Sequence, residues 1–180
     1  EGLSLASLWK LPVVFICENN LYSMGTPLYR TLSVEDVAVR AAGYPMAQEI
    51  VNGDDVLEVR TAVQHALNRA RTESLPILIE AKTYRFRGHS MSDPAKYRTR
   101  EEVQKMREEK DAIERVRHML LDGGHASEDD LKTIDKEIKD IVNKSADFAM
   151  DSPEPSLDEL YTDIYADVLP QGDAIETEEA

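Results

Sequence analysis

Hydrophobic residues fall into short continuous runs and helical stripes along the first half of the chain. The run at 13–17 is apolar and rich in β-branched residues, which is typical of a strand buried on both faces of a parallel sheet. Further strands are predicted at 47–51 and 77–81, and apolar spacing predicts a helix at about 55–73. Because strands alternate with helices, the predicted fold class is α/β with a doubly wound parallel sheet.

Capping patterns mark where two helices of this first half begin. Ser33, with an acid at Asp36 three residues later, predicts the start of a helix that ends at Gly43. The polar turn at 52–55 is expected to cap the helix that follows it.

The second half of the chain has the pattern of a helical region. Thr99 and Glu102 form a capping box, and the predicted helix continues to the glycine pair at 123–124. A second helix is predicted at 127–150, with its apolar residues on one face, and a last short helix is predicted to begin at Ser156.

Composition and charge exclude several classes of function. The 180 residues include 35 Asp and Glu against 21 Lys and Arg, a net charge of −14, whereas a nucleic-acid binder needs clustered basic residues. No apolar run approaches the roughly 18 residues of a membrane span. Cys17 is the single cysteine, which excludes an internal disulfide and a multi-cysteine zinc site and favours a reducing compartment.

A pair of asparagines follows the first predicted strand. Ligands of open parallel sheets bind beyond the carboxyl ends of the strands, where Asn19 and Asn20 are expected to lie. An asparagine oxygen and a nearby backbone carbonyl suit Mg²⁺ or Ca²⁺, with diphosphate oxygens and one carboxylate completing the shell. The alternative is that the two asparagines only form a turn.

The segment 85–98 follows the third predicted strand and is predicted to be a loop at the same edge of the sheet. Arg85, Arg87 and His89 could contact a phosphate, since arginine binds it through two parallel hydrogen bonds and histidine can donate a proton. Ser90 is predicted to be exposed, and a phosphate added to it would bring about −2 charge beside these groups. The alternative is a solvated loop.

Three segments of the sequence together resemble one protein family. They are 9–12 (Trp-Lys-Leu-Pro), 18–26 (Glu-Asn-Asn-Leu-Tyr-Ser-Met-Gly-Thr) and 83–94 (Thr-Tyr-Arg-Phe-Arg-Gly-His-Ser-Met-Ser-Asp-Pro). They are similar to the alpha subunits of pyruvate dehydrogenase, in the thiamine-diphosphate-dependent 2-oxo acid dehydrogenase family, and the resemblance extends to about residue 165. The asparagine pair alone is weak evidence, whereas its combination with the later motif is specific.

The resemblance implies thiamine diphosphate and Mg²⁺ as cofactors and assigns roles to particular residues. Asn20 and the main-chain carbonyl of Tyr22 are implied as metal ligands, while Arg85 and His89 are implied to approach the diphosphate. His89 is also implied to assist catalysis. Ser90 matches a serine that regulatory kinases phosphorylate in eukaryotic members.

The resemblance also implies a domain organisation. Residues 1–98 correspond to the C-terminal part of the thiamine-diphosphate-binding domain, 99–166 to a helical C-terminal region, and 167–180 to an acidic tail expected to be disordered. The Gly-Asp-Gly half of the family's thiamine motif is not in this sequence. The chain is therefore expected to be the C-terminal half of a longer alpha subunit, and inactive alone.

The implied function is oxidative decarboxylation of pyruvate, with transfer of the acetyl group to a lipoyl group towards acetyl-CoA. The implied partners are a beta subunit in an α₂β₂ heterotetramer and the lipoyl-bearing dihydrolipoamide acetyltransferase component, with no nucleic acid and no membrane. Lys96 stands where eukaryotic relatives carry a second phosphorylated serine, which favours a bacterial source and the cytoplasm. A eukaryotic source would imply the mitochondrial matrix.

Two alternatives stay open at this point. Branched-chain 2-oxo acid and acetoin dehydrogenase alpha subunits share the asparagine pair and the Arg/His loop, although the run at 88–94 favours the pyruvate type. A protein of another class, a non-catalytic assembly module, would use the acidic helices of 99–165 as a docking surface.

Overall fold

A computed structural model describes residues 1–162, in two compact units that divide at Ser127. The first unit contains, in order, α1 (Gly2–Leu8), β1 (Val14–Asn19), β2 (Tyr22–Ser23), β3 (Thr26–Pro27), 3₁₀ helices at Leu28–Arg30 and Val37–Gly43, β4 (Ala47–Asn52), α2 (Val56–Glu73), β5 (Ile77–Lys82), α3 (Arg100–Lys110) and α4 (Ala112–Asp122). The second unit contains α5 (Glu128–Asp151) and a 3₁₀ helix at Leu157–Tyr161.

The main sheet of the first unit is parallel and has the order β1-β5-β4 within residues 1–162. β5 lies in the middle, and Lys82 at its end is in register with Asn19 of β1 and Asn52 of β4. The carboxyl ends of all three strands therefore meet at one edge. This arrangement confirms the predicted α/β class with a parallel sheet.

Helices cover both faces of this sheet. On one face α2 packs its small residues against the strands; this core consists of Val14, Ala47, Val51, Val59, Ala62, Val63, Ala66, Ile77, Ile79 and Ala81. On the other face α1 and the Val37–Gly43 helix pack against a second cluster, which consists of Leu3, Phe15, Cys17, Ala41, Tyr44, Met46 and Leu78. Cys17 packs against this second cluster, and the doubly wound arrangement is confirmed.

The prediction that the first strand is buried on both faces is wrong for β1. Ile16 of β1 is 55% exposed, because β1 lies at an edge of the three strands that the structure describes. β5 is the strand buried on both faces, from Ile77 to Ala81. Continuous apolar runs identify both strands, but their order in the sheet decides which one is covered.

The helix predicted to begin at Ser33 is also different in the structure. A 3₁₀ helix begins at Val37, and the acid expected in the capping box, Asp36, instead forms an ion pair with Lys82 of β5. The N-terminal end of this helix is satisfied by another strand residue, since the main-chain N–H of Ala38 donates to Glu80 at 2.6 Å. Tertiary partners have replaced the local cap.

The single helix predicted from Thr99 to the glycine pair is two helices. The hydroxyl of Thr99 accepts from the main-chain N–H of Glu102 at 3.1 Å, so the start of α3 is confirmed. The helix is interrupted at Asp111. The carboxylate of Asp111 accepts hydrogen bonds from the main-chain N–H groups of Ile113 and Glu114 and caps α4. A local capping interaction therefore interrupts an apolar pattern that could have continued.

The second unit agrees closely with the sequence pattern. α5 matches the helix predicted at 127–150, and the segment predicted as a helix after Ser156 is the Leu157–Tyr161 3₁₀ helix. Within residues 1–162, none of the helices combines the length and apolar character needed to cross a membrane. The tail predicted at 167–180 lies outside the described residues.

Candidate functional site

The asparagine pair forms a tight turn at the end of β1. The side-chain oxygen of Asn19 accepts the N–H of Leu21 at 3.1 Å, and that of Asn20 accepts the N–H of Tyr22 at 3.2 Å. Leu21 has a positive φ of 69°. The two asparagine side chains compensate for this unfavourable backbone conformation by satisfying consecutive N–H groups.

Asn19 is buried and hydrogen-bonded to the middle strand, β5, and to the residue that follows it. Its side-chain N–H donates to Glu80 at 2.6 Å, and its main-chain carbonyl accepts from Thr83 at 2.9 Å. Asn20, which is half-buried, follows directly. The candidate metal ligand is thus carried on a turn anchored to the neighbouring strand.

The loop 85–98 is held by a buried arginine, Arg98. Its guanidinium donates to the main-chain carbonyls of Arg85 and Arg87, the latter at 3.0 Å. It also lies over three tyrosine rings, with centroid distances of 5.1–5.3 Å. These rings belong to Tyr22, Tyr84 and Tyr97. The predicted loop is present, and it is organised by a residue at its own end.

Asp93 organises the tip of the same loop. Its carboxylate accepts the N–H of His89 at 2.7 Å, the N–H of Ala95 at 2.8 Å and the hydroxyl of Tyr97 at 2.9 Å. The donation from His89, followed by that from Ala95, lowers the pKa of Asp93. Burial, and then its bond to Asp93, raises the pKa of Tyr97.

The loop and the asparagine turn contact each other, as their places at one sheet edge predict. Arg85 donates to the main-chain carbonyl of Met24 at 2.5 Å, and the rings of Tyr22 and Tyr97 lie 5.3 Å apart. Because β1 and β5 are parallel neighbours, both segments leave the sheet side by side. The structure therefore brings Asn20, Tyr22 and Arg85 into one region.

His89 contacts Arg85 through a nitrogen-to-nitrogen distance of 3.0 Å. A guanidinium only donates, so this contact requires Nδ1 of His89 to accept and leaves the proton of the neutral ring on Nε2. His89 and Ser90 are exposed and line a cleft of about 370 Å³, whereas Tyr22 lines a different cleft of about 610 Å³. The hydroxyl of Ser90 lies 3.1 Å from that of Ser92.

The donor groups fit part of a shell for Mg²⁺ and a diphosphate. Asn20 and the Tyr22 carbonyl offer neutral oxygens, which Mg²⁺ accepts. Among residues 1–162, no group of three or more His, Cys, Asp or Glu side chains is arranged to hold a metal. The buried Nε–H of Arg85 has no hydrogen-bond partner in this part of the chain, which leaves one donor available for an anion.

Sequence reasoning missed two buried polar residues of the site, Glu80 and Arg98. A signal existed for Glu80, because a carboxylate within an apolar strand must find donors. Arg98 carried no distinguishing signal among the several arginines of its loop.

Comparison with known proteins gives one family. The family described as "Dehydrogenase E1 component" matches residues 1–158. The chain is 52% identical over 164 residues to the pyruvate dehydrogenase E1 component subunit alpha of Rhizobium meliloti, covering 91% of this chain and 47% of that protein. It is 44% identical over 165 residues to the protein of the same name from Rickettsia typhi, covering 92% of this chain and 50% of that protein.

A eukaryotic relative belongs to the same group. The mitochondrial pyruvate dehydrogenase E1 component subunit alpha of Dictyostelium discoideum is 43% identical over 171 residues, or 94% of this chain and 45% of that protein. The chain spans about half the length of these relatives. The resemblance indicated by the three motif segments is confirmed, and the chain belongs to the dehydrogenase E1 component family.

Proposed function

We propose that the chain is part of the alpha subunit of a pyruvate dehydrogenase and that it contributes to binding thiamine diphosphate and Mg²⁺. One observation carries this proposal: the asparagine turn of 19–22 and the loop 85–98 contact each other at the carboxyl edge of the sheet. That edge is where open parallel sheets bind ligands. The names of the relatives support pyruvate as the substrate.

Each candidate residue has a proposed role. The side-chain oxygen of Asn20 and the carbonyl of Tyr22 bind Mg²⁺, while Arg85 donates to the diphosphate. His89, whose Nδ1 contacts Arg85, is the proposed catalytic residue and would act through its Nε2 proton. Thiamine diphosphate, when bound, supplies the electron sink for decarboxylation of a 2-oxo acid.

The proposed partners follow from the subunit name of the relatives. An alpha subunit works with a beta subunit, here proposed as an α₂β₂ heterotetramer that transfers the acetyl group to the lipoyl-bearing acetyltransferase component. The proposed location is the cytoplasm for a bacterial source and the mitochondrial matrix for a eukaryotic one. The relatives include both kinds of source.

Ser90 is proposed as a phosphorylation site. Its side chain is exposed, and it follows His89 directly. Four basic side chains in 85–98 stand against one acid, so the loop is locally basic in a chain of net charge −14. A phosphate of about −2 charge would compete with the diphosphate for this basic region.

The test uses the full-length alpha subunit together with its beta subunit. Thiamine diphosphate is titrated calorimetrically at several Mg²⁺ concentrations into the wild type, Asn20→Ala and the control Asn143→Ala, an exposed asparagine of α5. Asn20→Ala is expected to raise the Mg²⁺ requirement about tenfold or more, since loss of a supporting contact alone costs that much. Wild-type binding that Asn20→Ala leaves unchanged would refute the proposed metal role.

Three further comparisons complete the test. Faster turnover of 3-methyl-2-oxobutanoate than of pyruvate would favour the branched-chain alternative. No cofactor binding by the wild-type assembly would favour a non-catalytic module. Phosphorylation of Ser90 is expected to weaken thiamine diphosphate binding relative to the unmodified assembly. Asn143→Ala is again the control and is expected to leave binding unchanged.

A further inference from the structure

A carboxylate with no role in the proposed chemistry is buried in the centre of the sheet. Glu80 of β5 is 0% exposed and lies between Cys17 of β1 and Ile50 of β4 in the strand register. Its neighbours along the strand are apolar. Burying an unpaired charge is strongly unfavourable, so the partners of this side chain need an explanation.

Both oxygens of Glu80 are used, each by a different element. Oε1 accepts the side-chain N–H of Asn19 at 2.6 Å, and Oε2 accepts the main-chain N–H of Ala38 at 2.6 Å. Asn19 and Ala38 are themselves buried, at 6% and 0% exposed. The carboxylate therefore joins the end of β1 to the start of the Val37–Gly43 helix.

The bond to Glu80 determines how the amide of Asn19 is oriented. With its nitrogen donating to Glu80, the amide directs its oxygen to the N–H of Leu21, which has the positive φ. Rotation of that amide would lose both bonds at once. The backbone that carries Asn20 and Tyr22 depends on this orientation, because Leu21 lies between them.

We propose that Glu80 is a positioning residue that, through Asn19, holds the 20–22 turn in the geometry that binds Mg²⁺ with the cofactor diphosphate. The proposal rests on the proposed function of the turn. Glu80 is not proposed to contact the metal or the cofactor. Its proposed effect is on the position of the metal ligands, Asn20 and the Tyr22 carbonyl. Groups that orient metal ligands typically contribute 10- to 100-fold to metal affinity.

The principal test is Glu80→Gln in the full-length alpha subunit assembled with its beta subunit. An amide keeps the shape of the side chain but replaces one of the two oxygens with an N–H₂ group, so in the same position one of the two donors, Asn19 or Ala38, loses its acceptor. The Mg²⁺ concentration for half-saturation of thiamine diphosphate binding is measured by calorimetry. It is expected to rise about 10- to 100-fold, while kcat at saturating Mg²⁺ changes much less.

A matched control separates positioning from general destabilisation. Ile79, the preceding residue of β5, is 1% exposed and packs in the core on the α2 face. Ile79→Ala is expected to lower the melting temperature as much as Glu80→Gln or more, because it creates a cavity, yet to leave the Mg²⁺ requirement unchanged. An equal rise in both variants would overturn the proposal.

A double-mutant cycle tests the route of the effect. If Glu80 acts through Asn19, then Glu80→Gln adds little to the Mg²⁺ requirement of Asn19→Ala, because the contact is already lost. Additive shifts in the Mg²⁺ requirement would refute action through Asn19. A wild-type Mg²⁺ requirement in Glu80→Gln would refute the positioning role of Glu80 itself. Failure of the unmutated assembly to bind Mg²⁺ and thiamine diphosphate would instead refute the proposed function, and this inference with it.

Discussion

Replacement of Arg98 by methionine is expected to open the loop 85–98 while leaving the sheet intact. Arg98 is 8% exposed, and its guanidinium donates to the main-chain carbonyls of Arg85 and Arg87. Methionine has a similar unbranched length but no donor. The substitution therefore removes the two bonds while retaining most of the apolar packing against the tyrosine rings.

The magnitude follows from the contacts that are lost. A hydrogen bond from a charged donor contributes about 1.5–3 kcal/mol, and a guanidinium over an aromatic ring contributes about 0.5–2 kcal/mol, with the larger values at buried sites. Contacts between the methionine sulfur and the tyrosine rings offset the lost ring contacts of the guanidinium. The carbonyls of a surface loop regain water when it opens, so the lower value applies to each of the two bonds, which together contribute about 3 kcal/mol. This corresponds to an increase on the order of 100-fold in the fraction of molecules with an open loop.

Hydrogen exchange measured by mass spectrometry checks this prediction. Peptides that cover 85–98 should exchange on the order of 100-fold faster in Arg98→Met, whereas peptides from α2 should exchange at the wild-type rate. Arg87→Met, at an exposed arginine of the same loop, is the control and should change neither. Unchanged exchange of the loop in Arg98→Met would refute the view that this residue organises it.

Two further predictions concern the tip of the loop. Donation from the main-chain N–H of His89 lowers the pKa of Asp93 from its ordinary value, so its stabilising contribution is complete above that unfolded value and is lost as pH falls through the lower folded one. Protection of the loop amides, measured as exchange relative to the intrinsic rate at each pH, should therefore fall on acidification, and Asp93→Asn should remove this pH dependence. Gly88→Ala places a Cβ 2.7 Å from the main-chain oxygen of Asp93, so the loop must shift and its susceptibility to proteolysis should rise. Gly43→Ala, with open space around the added Cβ, is the control and should have no such effect on the loop.

Sequence patterns predicted the sheet and the meeting of the two candidate segments, because both follow from local signals. Continuous apolar runs identified β1 and β5, and the carboxyl ends of parallel strands necessarily share an edge. The break between α3 and α4 was missed although a signal was present. Asp111 followed by Glu114 is a capping pattern, but the neighbouring apolar spacing suggested one continuous helix.

The buried half of the site could not be predicted in the same way, because burial of a polar group depends on contacts between distant segments. Glu80 is in register with Cys17, yet its partner on β1 is Asn19, two residues further along, and its second partner Ala38 lies on another element. Sequence patterns reveal the exposed groups that face a ligand. The bonds of Glu80 to Asn19 and Ala38, in contrast, depend on strand register and on which distant segments the fold brings together. An experiment that mutates only the exposed residues would therefore not test the buried contacts that keep the 20–22 turn and the loop in place.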